Sequence, residues 1–541
     1  MPSPLQLLNP INIIKEIWRV CYILVQYIII AIFKAPPPKS PREPRSPYGR
    51  IAVIGAGLTG ISSAAHCISH NFEVVIFEAA PRSGLGGIWS HVNSTSGLQL
   101  NSHLYRFHPA VLWRHAFPLK PEIVSEITRI WKEYHLDSRT RFETPVTSVK
   151  RIESDSGSHK WQINDGAEEA FDAVIVTIGT CGKPKWIHLD GMPKGVGKDN
   201  EESEDSDENE QTDVFTEPII HSSDLDSDAV SEETIKDKKV VVIGSGASGV
   251  EAVETAIGRG AGEVVMIART DKWIIPRNIF FDTFLACQPF GREMPLSFLW
   301  EAFLKQWHYF GVKDLAPAHA GLFEGTPVVN NDFLKHVRNG KCKYVRGDPV
   351  RLSSSGVVTN VRNRDTKPGS DGTKKTIDAE VVVLATGFER PQLDFLPDSL
   401  FPEDYQRPDL YLQNFSTEDW SVLLTNSSYM SGIGHIGIYT RILLTLLLDE
   451  NARPLPKDMR LWVDLVRFLK RGAAGGPLGF FTYMELMIWV GMFHLFRLDR
   501  LKWWFFFILF GWGVHEKERR GKKSKQEGGI PMVKIPKEKK H

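Results

Sequence analysis

Two short glycine-spaced stretches carry the strongest chemical signal in this 541-residue chain. Gly55-Ala56-Gly57-Leu58-Thr59-Gly60 and Gly244-Ser245-Gly246-Ala247-Ser248-Gly249 both read G-x-G-x-x-G, and each follows an apolar run and opens a helical pattern. In that order the first glycine makes a tight turn, the second lets a pyrophosphate approach the backbone, and the third brings helix against strand. The N–H groups of the helix N-terminus then face the phosphates. Leu58, Thr59, Ser245, Ala247 and Ser248 complete the two cradles. About 20 positions further on, a second apolar run ends in Glu78 in one unit and in Arg269 in the other. A carboxylate there accepts from ribose hydroxyls and repels a 2′-phosphate, whereas an arginine attracts it. The pair predicts two different dinucleotides, FAD in the first unit and NADPH in the second, with the Thr270 hydroxyl beside Arg269. Lys272 reads either as a second cation near the 2′-phosphate or as an ordinary loop residue.

Positioning those residues takes an α/β fold of two Rossmann-like domains. Ile51 to Ile54 begins the first strand-turn-helix-strand unit and Lys239 to Ile243 the second, with further buried-strand runs at Asp172 to Thr177 and Glu380 to Leu384. Ile436 to Leu448 has helical spacing. Lys plus Arg and Asp plus Glu both number 65, which gives no overall attraction to nucleic acid. The five cysteines contain no C-x-x-C pair. That excludes a zinc motif or disulfide framework, and counts against the dithiol-disulfide reductases, which pass electrons to such a pair. No metal site is expected.

Several further motifs fall in the order found in the flavin-containing monooxygenase family, the class B flavoprotein monooxygenases, which the chain resembles over Ile51 to Leu448. Gly86-Gly87-Ile88-Trp89 is similar to the family's G-G-x-W, and Leu100-Asn101-Ser102 to its Asn-containing active-site loop. Thr177-Ile178-Gly179 and Ala385-Thr386-Gly387-Phe388 resemble its two A-T-G segments, where the chain crosses between nucleotide domains. The signature F-x-G-x-x-x-H-x-x-x-(F/Y) is partial: Phe215 and His221 are in place, but Glu217 and Leu225 replace the glycine and the final aromatic. Leu225, and the lack of a Lys-Arg pair between Gly321 and Asn339, weigh against the related Baeyer-Villiger enzymes.

The resemblance implies an NADPH domain inserted in a discontinuous FAD domain, and a monooxygenase acting on a nitrogen or sulfur of a small molecule. It further implies that FAD, when bound, would take hydride from NADPH and would capture oxygen as a C4a-hydroperoxide, which the protein would have to keep from water. Gly86, Gly87, Trp89, Thr386 and Gly387 join the cofactor-binding residues. Asn101 is the candidate catalytic and cofactor-binding residue, able to steady the peroxide or the nicotinamide ribose; a turn is its other role. Gly434 and His435 stand where backbone N–H groups would meet the flavin pyrimidine. Three alternatives stay open: Baeyer-Villiger oxygenation of a ketone, an NADPH oxidase releasing peroxide, and a redox-silent nucleotide-binding membrane protein.

Outside the resemblance the chain looks membrane-associated. Val20 to Phe33 is apolar except for Gln26, and basic residues from Lys34 to Arg50 follow it, predicting an uncleaved anchor with the catalytic body in the cytosol. Leu486 to Phe496 and Trp503 to Val514, too short to span, read as an in-plane or re-entrant element, with a buried core helix as the other reading. The tail His515 to His541 carries ten Lys or Arg against four Glu and ends in a sequence resembling a dilysine retrieval signal, which points to the endoplasmic reticulum. Between Asp199 and Asp213 nine acidic and no basic residues predict a disordered insertion. The expected map is an anchor and linker (1–49), the leading segment of the FAD domain (50–198), acidic insertion (199–214), NADPH domain (215–378), the returning segment of the FAD domain (379–470), C-terminal membrane segment (471–514) and basic tail (515–541). Oxygen, a small-molecule substrate and membrane lipid are the partners expected.

Overall fold

The computed structural model describes residues 10–515 apart from 42–45, 104–105, 154–158, 167–169, 198–212, 279–280, 282–295, 323–326, 365, 426–435, 472–499 and 502. Hydrophobic runs buried on both faces make two separate sheets. The first is five-stranded and parallel. It contains β1 (Arg50–Ile54), β2 (Glu73–Phe77), β3 (Thr140–Arg141), β7 (Ala173–Val176) and β17 (Val422–Leu424), in the order β17-β7-β1-β2-β3. A three-stranded antiparallel sheet, β4 (Val149–Glu153), β5 (His159–Ile163) and β6 (Ala170–Phe171), leads into β7.

The second sheet is seven-stranded. Its parallel half orders β13-β10-β9-β16-β8, from β8 (Ile219–His221), β9 (Lys239–Ile243), β10 (Glu263–Ala268), β13 (Cys342–Ser353) and β16 (Val381–Leu384). Two antiparallel strands, β14 (Gly356–Val361) and β15 (Thr373–Asp378), extend it beyond β13. A parallel pair, β11 (Ile274–Ile275) and β12 (Val328–Val329), stands apart. Since the whole second sheet falls between β7 and β17 in sequence, the second domain is inserted in the first. One expected boundary moves: β16 hydrogen-bonds with β9 and β8, so the chain returns to the first domain after Leu384, not at 379.

The helix α1 (Pro10–Phe33) contains the one stretch among the described residues long and apolar enough to cross a membrane, Glu16–Phe33. It is also attached to the body. Gln26, an interruption in the apolar run, is fully buried: its Oε1 accepts from Arg106 Nη1 at 2.9 Å and Trp113 N at 2.8 Å, and its Nε2 donates to Trp113 O at 2.8 Å. Tyr22, one turn earlier, contacts Ser102 Oγ at 2.5 Å and donates to His115 O at 2.9 Å. Ile17, Trp18, Leu24, Val25 and Ile28 remain exposed.

The described part of Trp503 to Val514 corrects the expectation of a membrane-lying element. Trp503, Trp504, Phe507 and Ile508 are buried in the core of the first domain, and the Arg441 Nε donates to Ile508 O at 2.8 Å. The body itself removes those four large apolar side chains from water, so that face has no need of lipid, although Phe505, Phe506 and Trp512 stay exposed. Leu486 to Phe496, Gly434, His435, most of the acidic insertion and the tail beyond His515 lie outside the described residues.

Candidate functional site

Each glycine turn joins a strand to a helix with no side-chain cap, α2 (Leu58–Ser69) after β1 and α3 (Ala247–Gly258) after β9. With no side chain capping them, both helix N-termini keep the positive end of the helix dipole turned towards the glycine cradle, the arrangement that favours an anion. A Cβ on Gly60 would stand 1.9 Å from Gly55 O and one on Gly249 2.1 Å from Gly244 O, so the third glycine of each motif is there for close packing. At Gly246 a Cβ would meet nothing within 4 Å, which leaves the phosphate side of the second cradle open.

A cavity of about 830 Å³ runs along the first cradle. Gly55, Gly57, Leu58 and Thr59 form its floor, Glu78 stands at one end, and Gly86, Gly87 and Trp89 form a wall with Ile436, the first residue of α4 (Ile436–Leu448). Gly86 N donates to Ala56 O at 3.1 Å, which seats the G-G-x-W loop on the glycine turn. Thr177 Oγ1 donates to Ile54 O at 2.7 Å and Gly55 O at 3.0 Å, holding the turn from the next strand. Glu78 accepts from Ala56 N at 2.6 Å and Ala80 N at 2.8 Å. Carboxylate oxygens carry about four lone-pair positions, so two backbone bonds orient Glu78 and leave acceptor capacity for ribose hydroxyls.

In the second domain Ser245 Oγ donates to Thr270 O at 2.8 Å, tying the glycine turn to the loop after β10. Arg269 is 71% exposed and 3.7 Å from Asp348, whose carboxylate also holds the buried Arg362 at 2.7 Å. Arg362 Nη2 in turn donates to Arg269 O at 2.7 Å. Sequence reading found Arg269 and missed this frame, because Asp348 and Arg362 lie far along the chain and meet Arg269 only in the fold.

The crossing points are joined directly. His221 ends β8, and its Nε2 contacts Gly387 O at 3.0 Å while Nδ1 contacts Ser223 Oγ at 2.8 Å. Thr386 Oγ1 donates to Lys185 O, so both strands of the crossing are clasped. Phe215, on the partial signature, is buried in the second domain.

Asn101 is buried but does not line the large cavity; its Oδ1 accepts from His103 N at 3.0 Å, a turn-forming bond. The loop before it docks on the other domain. Ser96 Oγ donates to Glu251 Oε2 at 2.8 Å, Thr95 and Thr255 hydroxyls meet at 2.7 Å, and Asn93 Nδ2 donates to Ser222 O at 2.6 Å. Dense surrounding protein raises the Glu251 carboxyl to about 7, although Ser96 and Gly97 bonds pull it down. No cluster of His, Cys, Asp or Glu among the described residues could hold a metal.

Comparison with known proteins fits this geometry. Residues 49–280 match the family described as pyridine nucleotide-disulphide oxidoreductase. Human flavin-containing monooxygenase 5 is 25% identical over 405 residues, covering 67% of this chain and 68% of that protein. A Baeyer-Villiger monooxygenase of Pseudomonas aeruginosa is 28% identical over 237 residues, and an uncharacterized monooxygenase of Sinorhizobium fredii 25% over 232; these matches cover 39% and 31% of those proteins. The chain thus matches well under half the length of these last two relatives. The structure of a steroid monooxygenase bound to NADP superposes with a TM-score of 0.59 at 17% identity, over 83% of this chain and 98% of that one.

One dinucleotide domain inserted in another, each with an open helix N-terminus, defines the class as a two-nucleotide oxidoreductase fold. Within that class, the resemblance to the flavin-containing monooxygenase family read from the motifs is borne out.

Proposed function

We propose that the protein is an NADPH- and FAD-dependent monooxygenase that oxygenates a nitrogen or sulfur of a small molecule. The observation that carries the reading is the opposite chemistry of the two cradles, Glu78 beside one uncapped helix and Arg269 beside the other. FAD, when bound, supplies oxygen activation after reduction by NADPH. The chain binds and shields. The N-terminus of α2 offsets the pyrophosphate charge, Glu78 orients the ribose, and Trp89 and Phe388 keep water from the cavity between them. Arg269 and Thr270 select the 2′-phosphate. Asn101, on a loop fixed to both domains, orients the nicotinamide end.

Baeyer-Villiger oxygenation of a ketone is the second reading. It is favoured by the match to a Baeyer-Villiger monooxygenase and opposed by Leu225 in the signature. The exposed face of α1 supports attachment to a membrane, and the basic linker and tail favour the cytosolic side of the endoplasmic reticulum. NADPH consumption by the full-length holoenzyme, with a tertiary amine, a sulfide and a cyclic ketone in separate arms and products identified, tests the reading. Stimulation by amine or sulfide supports it; stimulation by ketone alone supports the second.

A further inference from the structure

A second, smaller cavity of about 180 Å³ lies beside the C-terminal half of α2, at His66. Its walls come from five parts of the chain: Ile29 and Phe33 of α1, His66 of α2, the loop around Arg106 and Phe107, Ile438 and Arg441 of α4, and Leu509. Its polar side chains are two arginines and two histidines, Arg106, Arg441, His66 and His103, with no carboxylate among them. Arg441, almost fully buried, donates to Ile508 O at 2.8 Å, Leu509 O at 3.4 Å and His66 Nδ1 at 3.2 Å. Arg106, also buried, donates to Gln26 Oε1, Pro109 O and Val111 O. Neither guanidinium forms an ion pair with a carboxylate among the described residues.

Because Arg441 donates to Nδ1, His66 is neutral with its proton on Nε2, and that nitrogen has no partner among the described residues although the side chain is wholly buried. Arg106 Nε likewise has no partner among the described residues. A Cβ at Gly437 would stand 2.5 Å from His66 Nε2 and 3.0 Å from Arg441 Nη1, so glycine there leaves the donors uncovered. Buried guanidinium groups are normally paired with anions, because an uncompensated charge is costly away from water. Burial lowers Arg441 to about 9 and Arg106 to about 10, so both remain cationic at neutral pH.

The geometry points to a binding site for the anionic head of an alkyl amphiphile, its acid group held by Arg441, Arg106 and His66 and its chain leaving past Ile29 and Phe33. The apolar part of the wall favours an amphiphile over a free inorganic anion. Those two wall residues belong to α1, whose remaining apolar face is exposed and suited to lipid, the phase in which such a ligand resides. The site stands apart from the dinucleotide cavity but shares α4 with it, through Ile436 on one side and Arg441 on the other.

The test is a calorimetric titration of full-length, FAD-loaded protein in phosphatidylcholine nanodiscs, corrected against empty discs. Decanoate, decyl phosphate, decanol and acetate form separate arms. At least one decyl anion should bind ten times or more tighter than both decanol and acetate. Tighter decanoate assigns a fatty acid, tighter decyl phosphate a lipid phosphate, and either supports the site. Arg441→Gln should weaken the preferred anion at least tenfold. Since Arg441 also holds backbone carbonyls, Ile29→Trp, which fills the cavity and keeps every charge, is the second variant, and it should abolish binding with FAD content unchanged. Decanol or acetate binding as tightly as the anions, or full binding to Ile29→Trp, overturns the proposal.

Discussion

The Asp348 carboxylate stands 3.7 Å from the Arg269 guanidinium and is held from its other side by Arg362. Arg269 is thereby tethered just after β10 while most of its surface stays in water. The carboxylate competes with an incoming phosphate, so the contact is weaker than a free arginine would give. Arg269→Ala should weaken NADPH by roughly tenfold, the low end for a charge-assisted contact, and leave NADH almost unchanged. Dissociation constants from protein fluorescence check this, and an equal loss for both coenzymes would assign Arg269 to folding.

Gln26 makes a second forecast possible. Gln26→Ala removes the partner of Arg106 Nη1 and of both backbone groups of Trp113, and should cost about 2 kcal/mol, mostly from unsatisfied buried groups. Chemical denaturation of the membrane-reconstituted protein should show a lower midpoint, and protease should cut between α1 and β1 sooner. An unchanged midpoint would mean that α1 leaves the body in lipid.

The pH response at the domain interface follows from Glu251. Its carboxyl, raised to about 7 chiefly by burial, holds a proton in the folded protein between about pH 4.5 and 7 that the unfolded chain releases. Stability should therefore fall as pH rises through that window, by at most about 3 kcal/mol. Glu251→Gln keeps the Ser96 contact without the charge. It should match the parent near pH 4 and exceed it at pH 8, as read from denaturation midpoints; parallel pH curves would contradict the assignment.

Asn101 separates two roles by two variants. Asn101→Asp keeps the oxygen that accepts from His103 N, whereas Asn101→Ala loses it. If Asn101 orients the nicotinamide end, both variants should bind FAD, accept hydride from NADPH and release more hydrogen peroxide per NADPH consumed. Normal coupling in Asn101→Asp alone would leave Asn101 a turn residue.

The strands, the glycine cradles and the choice of dinucleotide were legible because each is a local pattern: apolar period, glycine spacing, and the residue ending a strand; the insertion of one domain in the other came only from the family resemblance. The contacts between domains were not. Ser96 with Glu251 and His221 with Gly387 join positions 155 and 166 residues apart in sequence, and no local spacing carries such a pairing. Gln26 shows how a signal can be misread. A single amide within an apolar helix looked like an interruption, yet together with Tyr22 it docks the helix on the body. Trp503 to Ile508 was ambiguous for a related reason, since apolar residues that enter lipid and those that enter a core are the same types.

The central claim is that reduced flavin in this chain delivers one oxygen atom to a nucleophile. Full-length holoenzyme reduced anaerobically with one equivalent of NADPH and then mixed with ¹⁸O₂ and a tertiary amine or sulfide tests it most directly, with mass spectrometry of the product. One ¹⁸O per NADPH in an N- or S-oxide is the result expected. Unlabelled product, or hydrogen peroxide matching the NADPH consumed, would contradict it.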